Sequence, residues 1–182
     1  EWTLVDAGCQ FAGVIDVPIY TTLSPESVRY IIEDSAAKIL FVNDLAAYER
    51  VALALENSSS LEKVVFFDAS GTDGDKTISL NELETKGSEL KKQNPTLADE
   101  LKSAVRSDDI ATLIYTSGTT GEPKGVMLTH ANLISNVLDA SEKYLFAGVD
   151  VSLSVLPLSH VFERTGMYVY IRYGMRVHYA ES

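Results

Sequence analysis

The residue types best suited to chemistry fall in Tyr115-Thr-Ser-Gly-Thr-Thr-Gly-Glu-Pro-Lys-Gly125, which holds three glycines, one lysine and the hydroxyls of Thr116, Ser117, Thr119 and Thr120. Glycines let backbone N–H groups turn toward one point, and such concave sets of donors bind anions. The hydroxyls add donors without charge, and Lys124 adds a compact cation suited to phosphate. Pro123 fixes φ at the exit and stiffens it. These types together support a polyphosphate cradle. The P-loop pattern fails, because Pro123 stands where its second glycine belongs when counted from Gly118, and no G-x-G-x-x-G is present here. The competing reading is a Gly/Ser/Thr hairpin loop with no ligand. A second polar string, Leu158-Ser-His-Val-Phe-Glu-Arg164, follows the strand-like run Val151–Pro157. Open α/β sheets bind ligands beyond the carboxyl ends of their strands. That places His160 as a site residue, with a satisfied histidine near the core as its competing reading.

The string YTSGTTGEPKGV resembles the phosphate-binding signature of the adenylate-forming enzymes, which include acyl-CoA synthetases, firefly-type luciferases and the adenylation domains of peptide synthetases. The resemblance implies that Thr116, Ser117, Gly118, Thr119, Thr120 and Gly121 wrap the β- and γ-phosphates of ATP, with Lys124 close by. Pro157 to Arg164 resembles the second signature of the long-chain fatty acyl-CoA synthetase branch. There His160 is implied to form a wall of the acyl pocket and to orient the carboxylate. Glu163 and Arg164 match that pattern and are expected to pair with each other or with neighbours.

The implied reaction activates a fatty acid. Its carboxylate attacks the α-phosphorus of ATP, pyrophosphate leaves, and coenzyme A then displaces AMP. Lys124 and His160 are the catalytic candidates, through charge neutralisation and positioning. ATP, Mg²⁺ and CoA are implied, with no protein ligand for the metal evident in these residues. A ligase for another carboxylic acid and a non-catalytic nucleotide-binding or scaffolding module are the alternatives. The family's downstream Tyr-Gly-x-Thr-Glu string has no counterpart, since Tyr173-Gly174 is followed by Met175 and Arg176. Residues 1–182 are therefore expected to be a fragment of the N-terminal (AMP-binding) domain, without the C-terminal lid domain and inactive by itself.

The elements that must position these residues are legible from periodicity. Trp2 to Gly13 predicts the end of a helix closed by Gly13, and Val14–Tyr20 predicts a strand, with Pro18 at an edge. Ser24-Pro25-Glu26 starts a helix, with Val28, Ile31, Ile32 and Ala36 at helical spacing. Lys38–Asn43 predicts a strand. Asp44 caps a helix to about Glu56, and Lys63–Asp68 predicts a further strand. This alternation implies an α/β fold: an open, largely parallel sheet with flanking helices. Residues 69–109 predict a polar surface excursion with one or two short helices, such as 96–105. Within it, 71–82 imitates a calcium loop, but Gly71 and Lys76 replace needed residues, so a solvated turn is expected. Ile110–Tyr115 and Gly125–His130 predict a hairpin with the cradle at its tip. Thr129 or Asn132 caps the next helix, which includes Leu133, Ile134, Val137, Leu138 and Tyr144, and His130 is read as a cap or turn contact. A helix rich in aromatics (Phe162, Tyr168, Tyr170, Tyr173) and a strand over Met175–Ala180 close the chain.

Composition narrows the partners. A net charge of −11 over 182 residues argues against nucleic acid, whose binding rests on cationic contacts to phosphate. Cys9 is the lone cysteine, which excludes an intramolecular disulfide and fits a reducing compartment. The cytoplasm is the expected location, with peripheral membrane contact of a longer parent left open. Fatty acid and CoA are the expected small-molecule partners. A domain cut from its remainder exposes apolar surface, so self-association is also expected.

Overall fold

The structure is a computed structural model and describes residues 1–68, 74–116, 123–143, 148 and 151–180. Helix α1 (Trp2–Ala12) ends at Gly13, whose φ of 67° is the left-handed geometry that favours glycine. Helix α2 (Pro25–Asp34) starts where the sequence says it must: the Ser24 hydroxyl accepts the Ser27 N–H at 3.2 Å, and Pro25 takes the first helical position. It stops earlier than its spacing suggests. Ala36 lies past the end, in the left-handed region at φ 52°. Strand β1 (Ile39–Val42) leads to α3 (Leu45–Leu55), capped by Asp44, which accepts the Ala47 N–H at 2.8 Å.

Strand β2 (Lys63–Phe66) pairs parallel with β1, in register from Ile39↔Lys63 to Val42↔Phe66. The apolar faces of α2 and α3 close over this pair. Val28, Ile32, Leu55, Leu61, Val64 and Phe66 form the core, with the Tyr48 ring edge-on to Phe66 at 5.6 Å.

Two expectations need correction here. Val14–Tyr20 is not a strand: within it Asp16 alone makes a parallel bridge, to Thr112. The Asp16 N–H donates to the Ala111 carbonyl, and its own carbonyl accepts from Leu113. Pro18, two residues on, has no N–H with which to extend the ladder. Within the polar excursion, the part of the calcium-like string from Thr77 onward is also more than the expected solvated turn. Thr77–Ser79 forms β3, parallel to β2, and Ser79 caps a fourteen-residue helix, α4 (Leu80–Gln93). Ser79 and Glu82 carry the capping signature that marks this start, and the Ser79 hydroxyl accepts the Glu82 N–H at 3.1 Å. Residues 71–73 of the calcium-like string lie outside the described residues. Helix α5 (Leu97–Ala104) stands within the expected 96–105.

Strands β4 (Ile110–Thr116) and β5 (Lys124–Thr129) form the expected antiparallel hairpin, with a bulge between Ile110 and Thr112. Helix α6 (His130–Lys143) begins directly after β5, and Thr129 and Asn132 satisfy each other's backbone N–H groups. Tyr144 lies outside the described residues. Strand β6 (Val151–Ser154) ends before Pro157, and α7 (Val161–Arg172) starts at the cap His160. Strand β7 (Arg176–Tyr179) returns parallel to β6. Among the described residues the strands make three small sheets: β1-β2-β3 and β6-β7 are parallel, and β4-β5 is antiparallel. The architecture is α/β with parallel pairs and flanking helices.

Candidate active site

The hairpin register sets the mouth of the cradle. Thr116 on β4 pairs with Lys124 on β5, and both are exposed. Directly opposed residues of an antiparallel pair hold their side chains about 5 Å apart at Cβ. The hydroxyl and the ammonium therefore flank the loop from its two stems. Ser117, Gly118, Thr119, Thr120 and Gly121 lie outside the described residues.

One pair down the hairpin, Tyr115 opposes Gly125. The tyrosine ring lies across the glycine: a Cβ there would stand 3.1 Å from Tyr115 Cζ. The Tyr115 hydroxyl donates to Asp34 Oδ2 at 2.6 Å, tying the base of the loop to the end of α2. Burial, then the Asp34 carboxylate, pushes this phenol well above its usual range, so it stays a donor.

Deeper in β4, Thr112 is fully buried, and its hydroxyl donates to the Asp16 carbonyl at 3.0 Å. The same oxygen accepts from Arg164 Nη1 at 2.8 Å. Arg164, from α7, is the largest fully buried side chain among the described residues. Its Nη2 donates to Asp6 and, at 2.9 Å, to Asp16; its Nε donates to the Tyr168 hydroxyl at 2.9 Å. Tyr168 donates in turn to Asp6 Oδ2 at 2.8 Å, and Gln10 donates to Asp16 Oδ1 at 3.2 Å. The rings of Trp2 and Tyr168 lie 5.8 and 5.7 Å from the guanidinium carbon.

Burial works against the Arg164 charge, but Asp16 and Asp6 outweigh it and keep the group protonated. Burial raises the Asp6 carboxyl above its ordinary range, with Arg164 pulling the other way. Cys9 sits close to this cluster. Burial pushes its thiol up to about 11, reinforced by the Asp16 and Asp6 charges, which makes it a poor nucleophile.

His160 is an exposed cap. Its Nδ1 accepts the Phe162 N–H at 3.2 Å. A neutral imidazole that accepts at Nδ1 carries its proton on Nε2, which leaves that N–H free to donate to an anion. Both a cap role and a ligand role are therefore compatible in one side chain.

Arg164 pairs with Asp6 and Asp16 and not with Glu163, whose buried Oε1 has no hydrogen-bond partner among the described residues. Sequence reasoning did not single out Asp6, Asp16, Thr112 or Tyr168. A signal was present for the acids, since each is a lone charge in an apolar or small-residue stretch and charges are rarely buried unpaired. The structure thus brings Thr116 and Lys124 together across the hairpin. It connects His160 to that hairpin through Arg164 and Thr112, since the His160 carbonyl accepts the Arg164 N–H at 3.1 Å. Among the described residues no group of three or more His, Cys, Asp and Glu is placed to hold a metal ion. A shallow groove lined by Val105, Arg106, His130, Ile134 and Leu138 contains none of the candidate residues.

Residues 1–182 match the family of AMP-binding enzymes along their whole length. The chain belongs to the AMP-binding enzyme family. Among curated members, the peroxisomal long chain acyl-CoA synthetase 6 of Arabidopsis thaliana is 34% identical over 186 residues, covering 97% of this chain and 25% of its own length. The long-chain-fatty-acid–CoA ligase FadD15 of Mycobacterium bovis is 36% identical over 166 residues, covering 90% of this chain and 26% of its own. This AMP-binding chain thus spans about a quarter of the length of the relatives it matches. A solved fatty acyl CoA synthetase from Mycobacterium tuberculosis shares the fold, with a TM-score of 0.70 at 23% identity over 98% of this chain and 32% of that one.

Proposed function

We propose that a polypeptide carrying these residues is a long-chain fatty acid–CoA ligase. It activates a fatty acid with ATP to acyl-AMP and pyrophosphate, then transfers the acyl group to CoA. The observation that carries this reading is the pairing of Thr116 with Lys124 at the mouth of a glycine-rich loop, in a chain of the AMP-binding family. The names of the two curated relatives support the fatty acid as substrate and CoA as acceptor.

The residues divide the work as follows. Thr116 and the loop from Ser117 to Gly121 supply donors to the β- and γ-phosphates. Lys124 neutralises charge as pyrophosphate departs. His160 donates from Nε2 to the carboxylate and holds it in line with the α-phosphorus, while its Nδ1 is fixed by the cap. Mg²⁺ would accompany the phosphates as their counter-ion. Among the described residues no cluster of His, Cys, Asp and Glu is placed to hold it.

Residues 1–182 form part of the AMP-binding domain in this reading, with the remainder of the ligase supplying the rest of the site. The isolated 182-residue chain is expected to lack turnover. It is also expected to self-associate, since Leu153, Val155 and Phe162 are exposed, Phe162 to 70%. No helix among the described residues is long and apolar enough to cross a membrane.

The test is fatty-acid-dependent exchange of pyrophosphate into ATP by the full-length protein, over a panel of carboxylic acids. Palmitate is expected to rank above aryl and amino acids. Lys124→Ala is expected to lower kcat/KM by about 100-fold, the scale of losing one transition-state donor. Unimpaired exchange in that variant would remove the basis of the assignment.

A further inference from the structure

We propose that Arg164 is a positioning residue for the adenylation step: it fixes the helix that begins at His160 against the strand that carries the phosphate loop. This rests on the ligase reading above.

The two candidate motifs belong to different elements. His160 caps α7, and Thr116 ends β4. No strand pairing joins α7 to β4, so another connection must set their spacing. Arg164 supplies it from both sides. Its backbone N–H donates to the His160 carbonyl in the first turn of α7. Its Nη1 donates to Thr112, which lies in β4 four residues ahead of Thr116, a span of about 13 Å along an extended strand.

The remaining donors leave the guanidinium little freedom. Nη2 meets Asp6 on α1 and Asp16 on the bridge segment, and Nε meets Tyr168 one turn further along α7. Asp16 is itself clamped to β4 on both sides of Thr112, through its N–H to Ala111 and its carbonyl from Leu113. One planar fork therefore locks α7, α1 and β4 into a single geometry. A lysine would keep the charge, but its single ammonium cannot serve Thr112, Tyr168 and both carboxylates at once. Reactions that depend on in-line attack are sensitive to such shifts, and a misplacement of about 1 Å can cost about 100-fold in rate.

The test uses the full-length protein in the palmitate-dependent pyrophosphate exchange assay, with three single variants. Arg164→Lys is expected to lower kcat by about 10- to 100-fold while KM for ATP moves by less than about threefold, because the phosphate loop is untouched. Thr112→Val removes the contact to β4 with little change in shape. It is expected to show the same kcat-weighted loss, about tenfold, and the double variant is expected to lose no more than Arg164→Lys does. Leu55→Ala, in the separate core under α3, serves as the destabilised control and is expected to keep kcat within about twofold at an equal or lower Tm. If Arg164→Lys does not fold, Thr112→Val and Leu55→Ala decide the matter. Exchange by the unsubstituted protein with kcat in Arg164→Lys and Thr112→Val no lower than in Leu55→Ala overturns the positioning role and leaves the ligase reading standing. Absence of exchange in the unsubstituted protein overturns both.

Discussion

The α2–α3–β1–β2 core and the Arg164 cluster each tie several elements together, and they do it by opposite means. The first buries Val28, Ile32, Leu55, Val64 and Phe66, whose attraction is non-directional and shared among many contacts. The second gathers the buried guanidinium of Arg164, the buried Asp6 carboxylate and Thr112 hydroxyl, and the partly buried Asp16 and Tyr168, joined by directed hydrogen bonds. An apolar core tolerates exchange of like volumes, whereas a buried charge cluster tolerates no missing partner. The largest expected effect follows from that contrast. Arg164→Met leaves Asp6 and Asp16 without their counter-charge and is expected to cost about 3–5 kcal/mol. Ile32→Val, equally buried in the apolar core, is expected to cost about 1 kcal/mol. Urea unfolding of both variants checks the pair. Comparable losses would show that the cluster is no more demanding than ordinary packing.

The hairpin stem sharpens the contrast at an intermediate scale. Gly125 looks like a generic loop glycine, but a Cβ there would crowd the Tyr115 ring at 3.1 Å. Gly125→Ala must push that ring aside by a few tenths of an ångström and so strain its hydroxyl bond to Asp34. A loss of about 1–3 kcal/mol is expected from overpacking. Tyr115→Phe removes the same bond without the clash and is expected to cost about 1–2 kcal/mol, since Asp34 loses a donor. If the glycine acts through that bond, the double variant costs less than the sum of the two. Strict additivity in thermal unfolding would separate the two effects and dissolve the brace.

These regions also differ in how far the sequence discloses them. The apolar core was legible because its information is local. Ser24 and Asp44 announce their helices, and Val28, Ile31 and Ile32 fall on one face. The hairpin was legible because two β-prone runs flank a turn-rich string. Short elements in polar sequence were harder. Thr77-Ile-Ser79 offers three residues and a single apolar side chain, so its pairing with β2 has no periodic signature. Val14–Tyr20 failed in the other direction: it has strand composition, but Pro18 cannot continue a ladder. The Arg164 cluster was hardest, because Asp6 and Arg164 meet across 158 residues of chain. A lone acid in an apolar stretch says that a partner exists without saying which. His160 shows the limit at the site itself: its position after a strand was readable, but its service as a cap through Nδ1 was not.

The smallest expected effect concerns protons, and it separates the two regions by sign. Burial raises the Asp6 carboxyl above the ordinary 3.8, with the Asp16 charge adding to it and Arg164 and Tyr168 opposing. Between the unfolded value and that raised value, the folded protein binds more protons than the unfolded chain. The Asp6 contribution to stability therefore grows as pH falls through this window and is lost as pH rises through it. Asp44 and Glu26, in the α2–α3 region, behave in the opposite way. Backbone hydrogen bonds at their helix starts hold both below the usual carboxylate range. Their contribution is present above the unfolded values and is lost as pH falls through the lowered ones. Asp6→Asn keeps an oxygen for Arg164 and Tyr168 but has no proton to exchange. The difference in Tm, variant minus parent, is therefore expected to be more positive at pH 7 than at pH 4, because only the parent must ionise a buried acid as pH rises. Thermal unfolding at the two pH values checks this. A difference that is constant, or that runs the other way, would mean that the pull of Arg164 prevails over burial and that Asp6 carries its charge throughout.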